Sequence, residues 1–311
     1  MNILVTGANG QLGKCFHDYV DFLDPEVYKL FFTDHETLDI TDYHALETFI
    51  NENDIEIVLN FAAYTNVPGA EVQTELAYKV NTLGPGYLAG LMAKRNGVLV
   101  HISTDYVYTP YDAWEGAPFT EEEVNVFFPD NKYGLTKRFG EVAIENSGCR
   151  YLIIRTSWLY STYGTNFMMK VCEMLDEGKN TKKDMKFVCD QIGTPTSAHN
   201  LAWFIKDWIA NQRYFDVDND ILNYSQAGAC SWYDFACAIR TILCNITHEE
   251  YPEIKPCYTR DFPSNVTRPY YSVMSKDKLY SLFPNENYVR ANWRDTLKNV
   301  LIEYVEKCDL K

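Results

Sequence analysis

The feature that most constrains the fold is a glycine-rich turn close to the start of the chain. It reads Gly7-Ala8-Asn9-Gly10-Gln11-Leu12-Gly13 and stands between a short apolar run and a stretch with a helical pattern. Glycines at this spacing let the backbone turn tightly and approach a pyrophosphate, whose charge the N-terminus of the next helix stabilises. Tight turns use glycine anyway, so the triplet alone is weak evidence. Its place between a strand and a helix predicts a dinucleotide-binding unit.

The first half of the chain alternates β-rich runs with helical patterns. Strands are predicted at residues 3–6, 28–33, 56–60, 98–102 and 151–155, and helices at residues 11–20, 43–51 and 74–95. Such alternation is typical of a parallel sheet that is covered by helices on both faces. The predicted fold class is therefore α/β, a Rossmann-type doubly wound parallel sheet, with a smaller and discontinuous C-terminal substrate-binding lobe.

The second half has a looser pattern. It predicts a helix at residues 166–177, a strand at 185–188 and a closing helix at 293–308, and its long irregular stretch is punctuated by Pro252, Pro256, Pro263 and Pro269. We assign residues 1–155, with about 186–226, to the Rossmann domain. The ranges of about 156–185 and 227–311 are assigned to the substrate-binding lobe.

Charge and cysteine content exclude several classes of partner and site. The 311 residues carry a net charge of −15 without a basic block, which disfavours nucleic acid and anionic membrane surfaces as partners. No stretch approaches the roughly 20 apolar residues of a membrane span, and the first apolar run is too short for a signal peptide. The nine cysteines are scattered without a C-x-x-C pair, so we expect no metal site and predict reduced thiols in a cytoplasmic protein.

Residues beyond the glycine turn extend the predicted cofactor site. Asp34 follows the second strand, about 20 positions after the last glycine, where an acidic residue accepts hydrogen bonds from the adenosine ribose and favours NAD. A solvated loop aspartate is an equally good interpretation, and His35 could tolerate a 2′-phosphate, so NADPH and NADH both stay open. Further candidates are the residues expected to flank the adenine and to end the third strand, Asp39, Ile40, Ala62, Ala63 and Tyr64.

Three side chains are predicted to carry the chemistry. Tyr133 and Lys137 lie four residues apart at the start of a predicted helix and so share one face. A nearby ammonium is expected to lower the pKa of Tyr133 and make it a usable proton donor, and Lys137 could also hold the nicotinamide ribose. Thr104 follows a buried strand, at the sheet edge where ligands bind, and its hydroxyl can hydrogen-bond the carbonyl oxygen that Tyr133 protonates.

Two further observations bear on this assignment. Tyr251 and Lys255 have the same spacing as Tyr133 and Lys137, but the pair includes a proline and lies far from the glycine turn in the sequence, so we treat it as a decoy. Asn81 lies in the middle of a predicted helix, where asparagine is a mediocre helix former. It either supports Lys137 through a water molecule, as part of the cofactor site, or faces solvent.

The chain resembles the dTDP-4-dehydrorhamnose reductase family of extended short-chain dehydrogenases/reductases over nearly its whole length. Several of the matching blocks lie in the second half, where general short-chain reductases diverge. The blocks are residues 2–13, 38–42, 60–66, 101–108, 133–137, 155–160, 166–167, 190–196 and 231–236.

The resemblance implies hydride transfer from NADPH or NADH to the C4 ketone of a dTDP-6-deoxy-hexulose, the last step of dTDP-L-rhamnose synthesis for cell-surface polysaccharide. It also implies that Thr104, Asp105, Tyr106 and Trp158 lie near the sugar and that Arg268 contacts the nucleotide diphosphate, which a guanidinium fork suits. Plain core packing is the other interpretation of Trp158. The oligomeric state stays open and includes a homodimer.

Two departures from the family pattern leave the exact sugar open. Asn66-Val67 leads into Pro68-Gly69 instead of an acidic residue and lysine, and Tyr271 replaces an asparagine. A reductase or epimerase of a related nucleotide sugar is therefore an alternative. A 4,6-dehydratase is disfavoured because Tyr106 follows Asp105 where a second carboxylate belongs. A non-catalytic NADP-binding regulatory subunit, like that of methionine adenosyltransferase, is the alternative from another functional class.

Overall fold

The computed structural model describes residues 1–108, 118–125, 129–181, 185–215, 219–262 and 264–309. Its strands are β1 Asn2–Thr6, β2 Lys29–Phe32, β3 Ile57–Asn60, β4 Val98–Thr104, β5 Arg150–Thr156, β6 Leu159–Tyr160, β7 Met185–Val188, β8 Ile192–Gly193, β9 Thr196–Ser197, β10 Asp220–Tyr224, β11 Cys230–Ser231 and β12 Ile254–Cys257. Its α-helices are α1 Gln11–His17, α2 Tyr43–Glu52, α3 Val67–Val72, α4 Thr74–Tyr78, α5 Gly84–Lys94, α6 Lys132–Glu145, α7 Phe167–Thr181, α8 Ala198–Ala210, α9 Trp232–Thr247, α10 Asp277–Leu282 and α11 Trp293–Asp309.

A six-stranded parallel sheet organises the first part of the molecule. Its strand order is β10-β5-β4-β3-β1-β2. The strand order reverses at β1, because β2 pairs with one edge of β1 and β3 with the other. Ligands of doubly wound sheets bind at such a switch point, outside the carboxyl ends of the strands. The predicted Rossmann-type fold class is confirmed, and its switch point makes the carboxyl ends of β1, β3 and β4 the candidate site.

Each central strand contributes to two apolar cores because successive side chains point to opposite faces of the sheet. Ile3 and Val5 pack in one core, whereas Leu4 packs in the other. The same alternation holds along β3, where Ile57 and Leu59 oppose Val58. Burial on both faces is why these strands read as continuous apolar runs in the sequence.

The predicted helix at residues 74–95 is interrupted. The structure has α4, then a π-helical turn at Lys79–Leu83, then α5. The turn directs Asn81 towards the backbone of Tyr64, with which it exchanges two hydrogen bonds. Single π-turns of this kind frequently lie at functional sites. The predicted helix at residues 11–20 likewise ends early, at His17.

The sequence pattern missed several elements of the second half. β10 completes the sheet, although its sequence Asp-Ile-Leu-Asn-Tyr is too short and too polar to stand out. Within the irregular stretch, β12 pairs in parallel with β7, and Pro263 lies outside the described residues. Helix α9 begins with a capping box in which Ser231 and Asp234 satisfy each other's backbone amides.

The smaller lobe is built around helices α7, α9 and α11, whose apolar faces share a third core. The predicted strand at residues 185–188 is confirmed as β7. The boundaries predicted for the two lobes stay a prediction. No helix in the described part of the chain is long and apolar enough to cross a membrane. The nine cysteines are free thiols.

Candidate active site

The glycine turn adopts a conformation that side chains would obstruct. Gly7 has a φ of +65°, and a Cβ there would lie 2.6 Å from the backbone nitrogen of Ala62. A Cβ on Gly13 would lie 2.5 Å from the carbonyl oxygen of Ala8. Gly10 is the N-cap residue of α1 and has no side chain that could accept from the first N–H groups of the helix. These groups are therefore left for a ligand. The turn therefore fits the pyrophosphate of a dinucleotide.

Among the remaining predicted cofactor residues, Asp34 lies against this turn. Asp34 accepts hydrogen bonds from Thr37 and Asn9, and these bonds lower the pKa of its carboxyl. Asp39 accepts from Thr41, while Ile40 is buried beneath Gly84. Gln11 accepts a hydrogen bond from Asn166, the residue before α7, and the side chain of Leu12 is buried.

Of the two interpretations offered for Asn81, the solvent-facing one is wrong, and support of Lys137 through a water molecule stays a prediction. The Asn81 side chain is fully buried, so it does not face solvent. It accepts from the Tyr64 backbone nitrogen at 2.8 Å, and its amide donates to the Tyr64 carbonyl at 3.0 Å and to Thr136 Oγ1 at 3.2 Å. Asn81 thus fixes the segment that follows β3, Ala62 to Tyr64, against the first turns of α6.

Thr104 and Tyr133 meet at the end of β4. Their hydroxyls are hydrogen-bonded to each other. Thr104 Oγ1 also donates to Asp105 Oδ1 at 3.1 Å and accepts from the Tyr106 backbone nitrogen at 3.3 Å. Asn131 caps α6 by accepting from the Gly134 backbone nitrogen at 2.8 Å, which sets the helix start that carries Tyr133.

The expected effect of Lys137 on Tyr133 is wrong for this arrangement. Burial, together with the Asp105 carboxyl, raises the pKa of Tyr133 above its usual range despite the hydrogen bond with Thr104. Lys137 Nζ instead donates to the Ile102 carbonyl at 2.6 Å and lies 3.2 Å from His101 Nε2. Burial also lowers the pKa of Lys137 to about 8. Tyr133 is therefore firmly protonated at neutral pH, as a proton donor must be.

Asp105 is a buried carboxyl beside these hydroxyls. Burial raises its pKa to about 6, although the Ser272 and Thr104 hydroxyls oppose the shift. Ser272 was not among the predicted site residues. It is held there because the backbone around Tyr271 forms a bridge to Ile192.

The sugar-binding candidates continue from Tyr133 into a cleft. The ring of Tyr106 meets that of Tyr133 edge to face, with centroids 5.4 Å apart. Burial raises the pKa of Tyr106 to about 12 against the effect of Arg268, which is hydrogen-bonded to the Tyr106 hydroxyl. Arg268 lines a cleft of about 740 Å³ whose cations and aromatic rings are Lys170, Lys186, Arg268, Phe167, Phe187, Phe262 and Trp232.

Trp158 is partly buried and packs against the core of the smaller lobe, but with an unusual backbone conformation. It has a φ of +46°, a left-handed conformation that is unusual for a bulky residue, and its ring stacks on Trp232 with centroids 3.4 Å apart. A Cβ on Gly193 would lie 2.5 Å from the Trp158 indole. Backbone strain of this kind persists where the surroundings impose it, often at ligand sites.

We expect Gly193→Ala to raise the KM for the sugar substrate about tenfold while kcat changes less. The added methyl would displace the Trp158 indole, and tenfold corresponds to about 1.4 kcal/mol of binding energy. Steady-state kinetics with the sugar varied would measure it. Gly90→Ala is the control, because a Cβ there meets no atom within 4 Å. An unchanged KM in Gly193→Ala would remove Trp158 from the sugar site.

The sequence analysis missed part of the site. Trp232 stands in a matching block and Ser272 follows the departure at Tyr271, but no local pattern assigns either residue a role. His101, Glu141 and Arg155 are buried polar residues. His101 and Arg155 each begin a matching block, whereas Glu141 stands outside the blocks. The decoy pair lies elsewhere. Tyr251 is buried in the core of the smaller lobe, and Lys255 lies on β12, whose Ile254 joins the same core.

Comparisons with known proteins agree with this geometry. Residues 1–306 match the family model described as the RmlD substrate binding domain. A dTDP-4-dehydrorhamnose reductase of Aggregatibacter actinomycetemcomitans is 32% identical over 301 residues, covering 96% of this chain and 97% of that protein.

Solved structures are similar over the same extent. A dTDP-4-dehydrorhamnose reductase from Clostridium acetobutylicum superposes with a TM-score of 0.83 at 35% identity, covering 98% of this chain and 100% of that one. The reductase of the same description from Bacillus anthracis, solved in complex with NADP, gives a TM-score of 0.82 at 31% identity and covers 97% and 99%.

Proposed function

The chain belongs to the dTDP-4-dehydrorhamnose reductase family, and on that premise we propose that it reduces dTDP-4-dehydro-L-rhamnose to dTDP-L-rhamnose with NADPH or NADH. The observation that carries the proposal is the hydrogen-bonded pair of Thr104 and Tyr133 at the end of β4, with Lys137 one turn further along α6. A non-catalytic subunit has no need of such a pair. The cytoplasmic location and a homodimer stay predictions.

We assign the cofactor to the switch point of the sheet. The glycine turn of residues 7–13 would hold the pyrophosphate, Asp34 the adenosine ribose and Lys137 the nicotinamide ribose. When bound, the nicotinamide supplies the hydride for C4 of the sugar. Thr104 would hold the ketone oxygen, and Tyr133 would give its phenolic proton to that oxygen as the C4–H bond forms.

The cleft beside Arg268 is the proposed site of the dTDP moiety. In a chain of net charge −15, three cations, Lys170, Lys186 and Arg268, face one cleft. They suit the oxygens of a diphosphate, and the aromatic rings that share the cleft suit a base. The contact between Arg268 and Tyr106 connects this cleft to Tyr133, so one ligand can occupy both.

The test is turnover of dTDP-4-dehydro-L-rhamnose. The purified protein would be incubated with the sugar nucleotide and NADPH or NADH, the loss of reduced-cofactor absorbance followed and the product identified. Formation of dTDP-L-rhamnose supports the proposal. Turnover of only another dTDP-keto-sugar would mean that the chain has a different substrate and that the loop at Pro68 and Gly69 changes the sugar specificity. Cofactor binding without turnover of any keto-sugar would favour the regulatory-subunit alternative.

Asp34 supplies a prediction about cofactor preference. Replacing Asp34 with alanine is expected to improve binding of NADPH relative to NADH by about fivefold, because it removes the repulsion between the carboxylate and a 2′-phosphate. Fluorescence titration with both cofactors would measure the ratio. Glu36→Gln removes the same charge from the same turn and is the control. An equal gain in that control would mean that general charge, not Asp34, sets the preference.

A further inference from the structure

A row of polar side chains crosses the apolar sheet beneath the candidate site. Thr6, Asn60 and His101 are neighbours in register on β1, β3 and β4, and all three are fully buried. Burying polar groups costs free energy unless they are hydrogen-bonded. Each of these three side chains therefore needs a hydrogen-bond partner inside the protein.

The row leads to Lys137. Thr6 Oγ1 lies 2.7 Å from Asn60 Oδ1, and the other end of the Asn60 amide lies 2.9 Å from His101 Nδ1. His101 Nε2 then lies 3.2 Å from Lys137 Nζ. The catalytic helix is thus connected through the imidazole to the strand that leads into the glycine turn.

The protonation of His101 follows from its neighbours. Burial, with the charge of Lys137, holds the pKa of His101 well below its usual range, so the ring is neutral and has one donor and one acceptor nitrogen. Facing an ammonium, Nε2 must be the acceptor, and Nδ1 then carries the hydrogen. Turning the Asn60 amide by 180° keeps all the contacts, because its nitrogen and oxygen have nearly equal shapes, and it presents the oxygen to Nδ1.

We propose that His101 is a positioning residue that accepts a hydrogen bond from the Lys137 ammonium and, anchored by Asn60 and Thr6, keeps that ammonium charged and directed at the site. The inference rests on the proposed function, which makes Lys137 the catalytic lysine. An apolar residue at position 101 would leave the ammonium with one protein acceptor fewer in a buried place.

Other charges around Lys137 act in known directions. Burial lowers the pKa of Lys137 to about 8, and Glu141 on the same helix opposes that shift. Glu141 is itself paired with Arg155 on β5 and Arg138 on α6. Asp105 and Tyr106, which follow β4, act on Tyr133. A lost hydrogen bond to a charged group lowers the stability of the charged form, so removal of the His101 acceptor should lower the pKa of Lys137 by about one unit.

The tautomer of His101 is the first test. Nitrogen-15 NMR of the six histidine side chains, with His101→Gln to identify the signal by its absence, would report which ring nitrogen carries the hydrogen. We expect Nδ1–H with unprotonated Nε2 at pH 6 to 7, without ring protonation. Finding Nε2–H there would overturn the proposal, since that hydrogen would point at the ammonium. This experiment needs no sugar substrate, so it is independent of the proposed function.

The second test is the pH dependence of NADPH binding, followed by fluorescence. In the native chain, affinity should fall as the pH rises through about 8, where Lys137 loses its charge. In His101→Leu the affinity should fall at a pH about one unit lower. In His101→Gln, whose side-chain oxygen can accept a hydrogen bond, the affinity should fall at the same pH as in the native chain.

Ile153→Val controls for packing, because Ile153 is the next residue in the row on β5 and has no polar side chain. Its pH profile should match that of the native chain. Folded His101→Leu protein with an unshifted profile would overturn the proposal. If His101→Leu does not fold, the comparison of His101→Gln with the native chain in the tautomer experiment still decides. Absence of sugar turnover with the expected profiles would contradict only the proposed function.

Discussion

Tyr133→Phe is expected to lower kcat by about 10²- to 10⁴-fold, the usual contribution of a general acid, with little change in NADPH affinity. The substitution removes the phenolic proton and the hydrogen bond with Thr104. The ring itself should keep its edge-to-face contact with Tyr106, so the fold and the cleft persist. Steady-state kinetics, with NADPH binding measured separately, would distinguish lost chemistry from lost binding.

The chain offers a matched control for this variant. Tyr251 has the same spacing to a lysine, but its hydroxyl lies near Thr247 and Glu249 in the smaller lobe. Tyr251→Phe should leave kcat unchanged. A Tyr133→Phe enzyme within about tenfold of the native kcat would mean that the proton comes from another group, because a tenfold change is only about 1.4 kcal/mol of the barrier.

Local features of the sequence explain why much of the fold could be predicted. Gly7 and Gly13 are needed where a Cβ would collide with the backbone, and that requirement is visible in one short segment. The strands at residues 3–6 and 98–102 read clearly because both of their faces are buried. The position of Tyr133 and Lys137 on one face of the helix follows from helical spacing alone.

Features that depend on distant partners could not be predicted. The role of Asn81 is set by the backbone of Tyr64, 17 residues away, and its π-turn has no sequence pattern. β10, at one edge of the sheet, looks too polar for a strand, and its buried Asn223 is satisfied by Tyr108, 115 residues away. The pKa of Tyr133 is raised instead of lowered because its phenol is buried, and Lys137 has its hydrogen-bond partners on β4. In each case the energy of a buried polar group is decided by its partner rather than by its own segment.

Glu141 and Arg155 are the buried polar pair with the largest expected effect on stability. Both side chains are fully buried, and Arg155 Nε and Nη2 donate to the two Glu141 oxygens at 3.0 and 2.9 Å. Arg155 Nη1 also donates to Tyr108 Oη and to the Glu121 carbonyl, each at 2.8 Å. The pair ties α6, which carries Tyr133 and Lys137, to β5, the strand next to the edge strand β10.

We therefore expect Glu141→Ala to reduce the free energy of unfolding by about 3–5 kcal/mol, because Arg155 would remain buried without its counter-charge. Denaturant titration monitored by circular dichroism would measure the loss. Glu145→Ala is the control: Glu145 pairs with Arg138 but is partly exposed, so its loss should cost about 1 kcal/mol or less. A Glu141→Ala protein as stable as Glu145→Ala would mean that the pair contributes no more than a surface pair.

The pH dependence of stability gives this prediction a sign. Burial would raise the pKa of Glu141, but the Arg155 guanidinium, with its hydrogen bonds, holds it below the usual range. A carboxyl whose pKa is lower in the folded state stabilises the fold fully above its unfolded pKa and loses that contribution as the pH falls through its folded value. The native chain should therefore lose more stability than Glu141→Gln on acidification below about pH 4. Parallel curves for the two proteins would place the acid sensitivity in other carboxyls, because only the native chain can protonate Glu141.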